Sequence, residues 1–277
     1  MRVRSYAPHV RGIIAFAISA AIFLVPFAFI ILTASKTAAE ASRFEFTWPT
    51  DFVLGENIME VFAARDFVIV RAFINSTTLT VSSVTIMVVL AAAMGYVIQR
   101  RTGLWTNATQ LLVLAALIVP TAVVPTIWVM QTIGLYRQLF GMVLIEVVGG
   151  MPFCVLLCSA FVSTIPRELD EAAVVDGAGP LRVFFTIVLP LLKPVIVTMI
   201  VVQSVSVFND FTGPLYFLPG DENVTAQATL FNFQSQTLSQ WNLLFADVLL
   251  ITIPPLVLFL FFNRQIVDGM VNGAVKG

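Results

Sequence analysis

The stretch from Ile165 to Pro190 holds most of the chain's usable chemistry: Ile165-Pro-Arg-Glu-Leu-Asp-Glu171-Ala-Ala-Val-Val-Asp-Gly177-Ala-Gly-Pro180, then Ile187-Val-Leu-Pro190. Glu168, Asp170 and Glu171 follow Pro166 closely. That order starts a helix, because proline loses nothing in a first turn and carboxylates favour the positive end of the helix dipole. The helix is expected to run to Asp176, with Gly177 taking the left-handed conformation that closes it and Pro180 opening a second. Leu169, Ala172, Ala173 and Asp176 then share one face, and two small side chains at its centre let another protein's backbone approach.

The remaining reactive side chains do not assemble a catalyst. His9 is the single histidine. Cys154 and Cys158 stand at i and i+4 of an apolar run, a spacing that does not reach disulfide geometry on an intact helix. No carboxylate cluster joins them to hold a metal, and no acid pair or Ser/His set is present for an intramembrane enzyme. The sequence has no G-x-x-x-x-G-K-[ST] phosphate loop, so this chain is not expected to bind and hydrolyse ATP in the P-loop manner by itself, and energy has to come from outside it. The net charge of −1 with scattered basic residues leaves no nucleic-acid footprint.

The elements that position these residues belong in a bilayer. Of 277 residues, 58% are hydrophobic and 11% charged, and the mean hydropathy is +0.94. Residues 12–35, 72–99, 102–136 and 147–166 are free of Asp, Glu, Lys and Arg, long enough to cross hydrocarbon that takes about 20 apolar residues per helix. Two shorter runs begin beside Lys193 and between Asp247 and Arg264. Six spanning helices are therefore predicted, near 12–34, 72–98, 108–131, 140–164, 188–208 and 243–263, in one transmembrane domain over residues 1–277. The first run follows Arg2, Arg4 and Arg11, but it is too long for a signal-peptide core and lacks a small-residue cleavage site, so it reads as a retained helix.

With the N-terminus in the cytoplasm, Arg2, Arg4, Arg11, Arg100, Arg101, Arg167, Arg182, Lys193, Arg264 and Lys276 lie inside, against Lys36, Arg43, Arg65, Arg71 and Arg137 outside. This is the positive-inside bias, and it places both termini in the cytosol. The segment near 36–70 and the polar loop from Asn209 to Asn242 then face outward. Pro120 and Pro125 are expected to kink the third span. Glu146 and Asp247 are expected at the outer headgroup level.

The 165–190 stretch resembles the EAA loop of ABC-importer permeases: Glu171-Ala172-Ala173, three residues, Gly177, nine residues, then Ile187-x-Leu189-Pro190, placed between the fourth and fifth helices. Ser35-Lys36-Thr37, Asn75-Ser76, Asn209-Asp210-Phe211 and the closing Gly273-Ala274-Val275-Lys276-Gly277 are similar to the carbohydrate permeases of the maltose type. Phe208 departs from a tryptophan common in that position. The resemblance implies an all-α membrane protein in a bacterial cytoplasmic (inner) membrane, working by alternating access in a sugar importer. The implied partners are a second related permease as heterodimer, two ATPase subunits and an extracytoplasmic solute-binding protein. It also implies no cofactor on this chain, ATP-Mg being used by the ATPase.

By the same resemblance Glu171, Ala172, Ala173, Asp176, Gly177, Leu189 and Pro190 couple to the ATPase, with Glu171 pairing a basic group there, and the C-terminal tail reaches the ATPase pair. A sugar offers hydroxyls and apolar ring faces, so amides, hydroxyls and aromatics with little fixed charge should line its path. Trp128, Gln131, Gln203, Asn209 and Tyr216 have that chemistry. A secondary transporter or channel would also fit six proline-containing helices, but it leaves the charged loop without a use.

Overall fold

The computed structural model describes residues 7–119, 122–233 and 240–274. Pro120, Arg2, Arg4 and Val275-Lys276-Gly277 lie outside the described residues, with part of the polar loop at 234–239. Among the described residues every regular element is helical. Hydrocarbon offers backbone groups no partner, so a spanning segment has to satisfy them internally.

In chain order the main helices are α1 (Ala7–Ala34), α2 (Leu54–Ala63), α3 (Val68–Arg100), α4 (Leu104–Ile118), α5 (Val123–Thr132) and α6 (Leu139–Val162). They are followed by α7 (Glu168–Val175), α8 (Pro180–Leu191), α9 (Lys193–Asn209), α10 (Thr212–Phe217) and α11 (Trp241–Ala274). Helices α3, α6 and the Trp241–Phe262 part of α11 are each long and apolar enough to cross a membrane, and α8 and α9 pass the same test only when taken together, as a pair bent by 71° at a short break. Ile18–Ala34 and Leu104–Ile118 are shorter apolar helices.

Two predicted spans differ from what is seen. The third, 108–131, is not one kinked helix but two, α4 and α5. Val119 leaves the helix with φ −76° and ψ 120°, since a residue before proline is pushed out of the α region. Pro125 falls in the first turn of α5, where its missing N–H is harmless. The fifth, 188–208, starts later, at Lys193, because the chain bends at Leu192 with Pro194 in the next turn. Just before the bend, the Leu189 N–H bonds the Phe184 carbonyl in a π turn that widens the helix ahead of Pro190.

The chain divides into two compact units, Met1–Ile69 with Thr229–Ile253, and Val70–Ala228 with Pro254–Gly277. The first unit is organised around polar groups out of water. Asn57 Nδ2 donates to the carbonyls of Ala34 (2.8 Å) and Lys36 (2.9 Å), satisfying orphan acceptors at the end of α1, and its Oδ1 accepts from Asn242 Nδ2 at 2.8 Å. The buried Lys36 ammonium donates to the Glu45 carbonyl (2.7 Å) and Thr47 Oγ1 (3.1 Å), which folds the following segment back on the helix end. Phe29 packs against Phe46 and Phe245, and Phe44 against Trp241. Asp247 is fully buried within this unit and accepts from Thr229 Oγ1 at 2.8 Å.

In the second unit α3, α6, α8 and α9 enclose a core that includes Met87, Ala91, Cys154, Cys158, Leu192 and Met199. Both cysteines are free and buried. Gly95 lets α3 touch α6: a Cβ there would stand 2.8 Å from Cys158 Cβ and 2.9 Å from the Ser159 backbone nitrogen. Glu146, on α6, is half-buried, with Oε1 out of contact with water.

Candidate functional site

The loop between α6 and α9 folds as its sequence dictates, with a shorter first helix than expected. Pro166 and Arg167 stay ahead of it, and Glu168–Val175 is the regular part. Asp176 caps it. The Ala178 N–H then bonds the Ala173 carbonyl (2.9 Å) and the Gly177 N–H bonds the Val174 carbonyl (3.0 Å). This pair of bonds is the Schellman closure, and it needs a left-handed residue at Gly177, whose φ is +83°. Gly179 is extended and Pro180 is the first residue of α8.

One face of α7 does not meet the expectation. Ala173 is 7% exposed and packs into the chain's own core, with Val183 and Ala178 nearby in that cluster, so only Ala172 of the two alanines stands open. Glu171, Ala172, Asp176 and Gly177 are exposed. Around them stand Leu169, Val174, Val175 and Leu181, apolar side chains left uncovered. Leu189 is half-buried and Pro190 exposed, beyond the π turn.

The root of the loop is tied to the end of α3. Arg100 Nε donates to Asp170 Oδ2 at 2.6 Å, with the two side chains 10% and 15% exposed. Arg100 Nη2 donates to the Ile165 carbonyl at 3.0 Å, and Arg167 Nη2 to the Gln99 carbonyl at 2.9 Å. Gln99 Nε2 in turn donates to Ser159 Oγ at 2.8 Å. A basic group on the last carbonyls of a helix satisfies orphan acceptors and suits the negative end of its dipole. Sequence reading missed Gln99, Arg100 and Arg167 as anchors. The available signal was two arginines ending a long uncharged run, with an acid-rich helix start elsewhere.

The five residues proposed for a solute path are scattered. Trp128 and Gln131 are exposed on α5, and Tyr216 is exposed on α10, which packs against α5. Gln203 is buried inside α9, where its Oε1 would lie 3.0 Å from a Cβ at Gly150. Asn209 ends α9 and accepts from Gln227 Nε2 at 3.0 Å. Among the described residues no hydrogen bond joins two of the five. Asp210, beside Asn209, accepts from the Thr212 and Gly213 N–H groups and sets the start of α10.

Long apolar helices, one pair of them sharply bent, and an exposed loop pinned to the end of α3 are thus the features to set beside known proteins. Residues 61–272 match the family described as the binding-protein-dependent transport system inner membrane component. The chain belongs to that family. The permease is 31% identical over 264 residues to the melibiose/raffinose/stachyose import permease protein MelC of Bacillus subtilis strain 168, covering 94% of each chain. It is 32% identical over 206 residues to the maltodextrin transport system permease protein MdxG of the same organism, covering 73% of this chain and 74% of the other. Its fold is that of a chain from a bacterial ABC transporter involved in the import of the acidic polysaccharide alginate. That likeness has a TM-score of 0.82 at 17% identity and covers 95% of this chain and 98% of the other. The permease is a multi-pass membrane protein and a transport subunit.

Proposed function

We propose that this permease forms half of the translocation path of an ATP-driven importer for a sugar or oligosaccharide. It pairs with a second, related permease, takes solute from an extracytoplasmic binding protein and couples to two ATPase subunits through the 165–190 loop. Six spans with both termini in the cytosol, the arrangement that the charge bias favours, present that loop to the ATPase. The chain acts as one permease domain, binds no cofactor of its own and leaves ATP-Mg to its partners.

The observation that carries this reading is the α7–α8 turn in a chain of this family. Glu171, Ala172 and Asp176 are exposed on a short helix whose end is fixed by the Gly177 closure, beside uncovered Leu169, Val175 and Leu181. An exposed apolar set with one central carboxylate suits docking into a groove that offers a basic group. A charge-assisted bond at such an interface costs about 2–5 kcal/mol when one partner is truncated. Trp128, Gln131, Gln203, Asn209 and Tyr216 are the proposed solute-path residues. Alternating access then brings them into use in turn, since they are not gathered in one site. The substrate class rests on the relatives' sugars.

The test is reconstitution of the permease pair, the ATPase and the binding protein in vesicles, with uptake of melibiose, raffinose and maltodextrins measured with and without ATP. ATP-dependent uptake of at least one is expected. Uptake that proceeds without ATP would assign the chain to secondary transport, and ATP-dependent uptake restricted to non-sugar solutes would overturn the substrate class.

A further inference from the structure

The docking helix is held by a residue that belongs to a different, membrane-spanning element. Arg100 is the last residue of α3. Its guanidinium engages α7 through Asp170 and the foot of the loop through the Ile165 carbonyl, two bonds that diverge from one planar fork. Arg167 repeats the tie in reverse, from the loop to the Gln99 carbonyl. The close contact of α3 with α6 at Gly95 and the Gln99–Ser159 bond complete a frame in which the end of α3, the end of α6 and the start of α7 are fixed to one another. Asp170 neighbours the exposed Glu171 in sequence, so the turn that buries one carboxylate against Arg100 points the next outward.

We propose that Arg100 is the positioning residue of the coupling loop: through Asp170 and Ile165 it sets the bearing of α7 relative to α3, so that the docking helix and that spanning helix move as one body. This rests on the coupling role proposed for the loop. An arginine is required because lysine is a point donor on a flexible stem and cannot hold a carboxylate and a carbonyl in one rigid plane. The pair is mostly out of water, so removing one member leaves a charge without its partner, and the helix start is then free to turn. A crevice of about 340 Å³ lined in part by Gln99, Arg100, Pro166, Arg167 and Glu168 adjoins the Arg100 side of the pair.

The experiment places spin labels at Thr85, exposed on α3, and Glu168, exposed at the start of α7 and outside the docking set, in the assembled permease–ATPase complex and measures their distance distribution, with ATPase copurification followed in parallel. The buried Cys154 and Cys158 are not reached by the label. One narrow distribution is expected in the parent. Arg100→Ala and Asp170→Ala lose it, and ATPase binding weakens about tenfold in each, with the double variant no worse than either single one. Exchange of the charges, Arg100→Asp with Asp170→Arg, recovers most of the narrowing, and Arg100→Lys recovers less. A narrow distribution in both alanine variants overturns the proposal. So does an exchange that inserts and assembles but stays broad, even where Arg100→Ala itself fails to insert. Gly177→Val reports on the other reading: if it leaves ATPase copurification unchanged, the loop does not dock. If it lowers copurification while Arg100→Ala leaves the distances narrow, the loop docks and Arg100 does not position it.

Discussion

Gly177 has a φ of +83° with no atom within 4 Å of where a Cβ would stand. The space is open, so any penalty on substitution comes from the backbone alone. A β-branched residue there costs about 1–2 kcal/mol in the left-handed region, while asparagine tolerates that region with little strain. Gly177→Val is therefore expected to weaken ATPase copurification and lower uptake while the membrane helices still insert. Gly177→Asn stays near the parent in both assays, and Glu171→Ala falls between them. Equal behaviour of valine and asparagine would show that the left-handed turn is not what matters. This turn was legible in the sequence because everything that decides it lies within a few residues: Asp176, Gly177 and Pro180. Ala173 was not. Its two neighbouring faces look alike along α7, and only the packing of Val183 and Ala178 decides which one is covered.

Among the elements, α3 and α6 meet with little room at Gly95. Gly95→Ala puts a methyl group within 2.8 Å of Cys158 Cβ and 2.9 Å of a backbone nitrogen, and the backbone cannot yield as a flexible side chain could. Overpacking of this kind costs about 1–3 kcal/mol, so the detergent-solubilised variant is expected to melt earlier. Ala93→Val, on an exposed face of α3, serves as the matched control with little change. A melting temperature equal to the parent's would show that the two helices separate easily. Hydropathy located α3 and α6 because most of each lies in one long uncharged run, 72–99 and 147–166. It missed the break before α5 and the 71° bend before α9, where prolines and the residues ahead of them override the apolar pattern. It also missed the tie between Arg100 and Asp170, since seventy positions separate them and no periodicity connects residues so far apart.

For the whole molecule, the distribution of its fifteen basic residues, ten of them on one side in the six-span reading, predicts an orientation that can be checked directly. A reporter active only outside the cytoplasm should be active when fused near Asp221 and silent when fused near Asp176. The reverse pattern would carry the 165–190 loop away from any ATPase. Charge counting is silent on burial: Asp247 is enclosed within its unit and bonded to Thr229, which no sequence pattern announces. Val175 and Leu181, 87% and 73% exposed at the tip of the loop, carry a consequence for how much of the protein a cell keeps. Uncovered apolar side chains on an aqueous surface are what chaperones and proteases sample in an unfinished assembly. On the docking role proposed above, a copy of this permease made in excess of its ATPase keeps these side chains uncovered and is expected to be cleared faster than an assembled one, which a pulse-chase with and without the ATPase would measure.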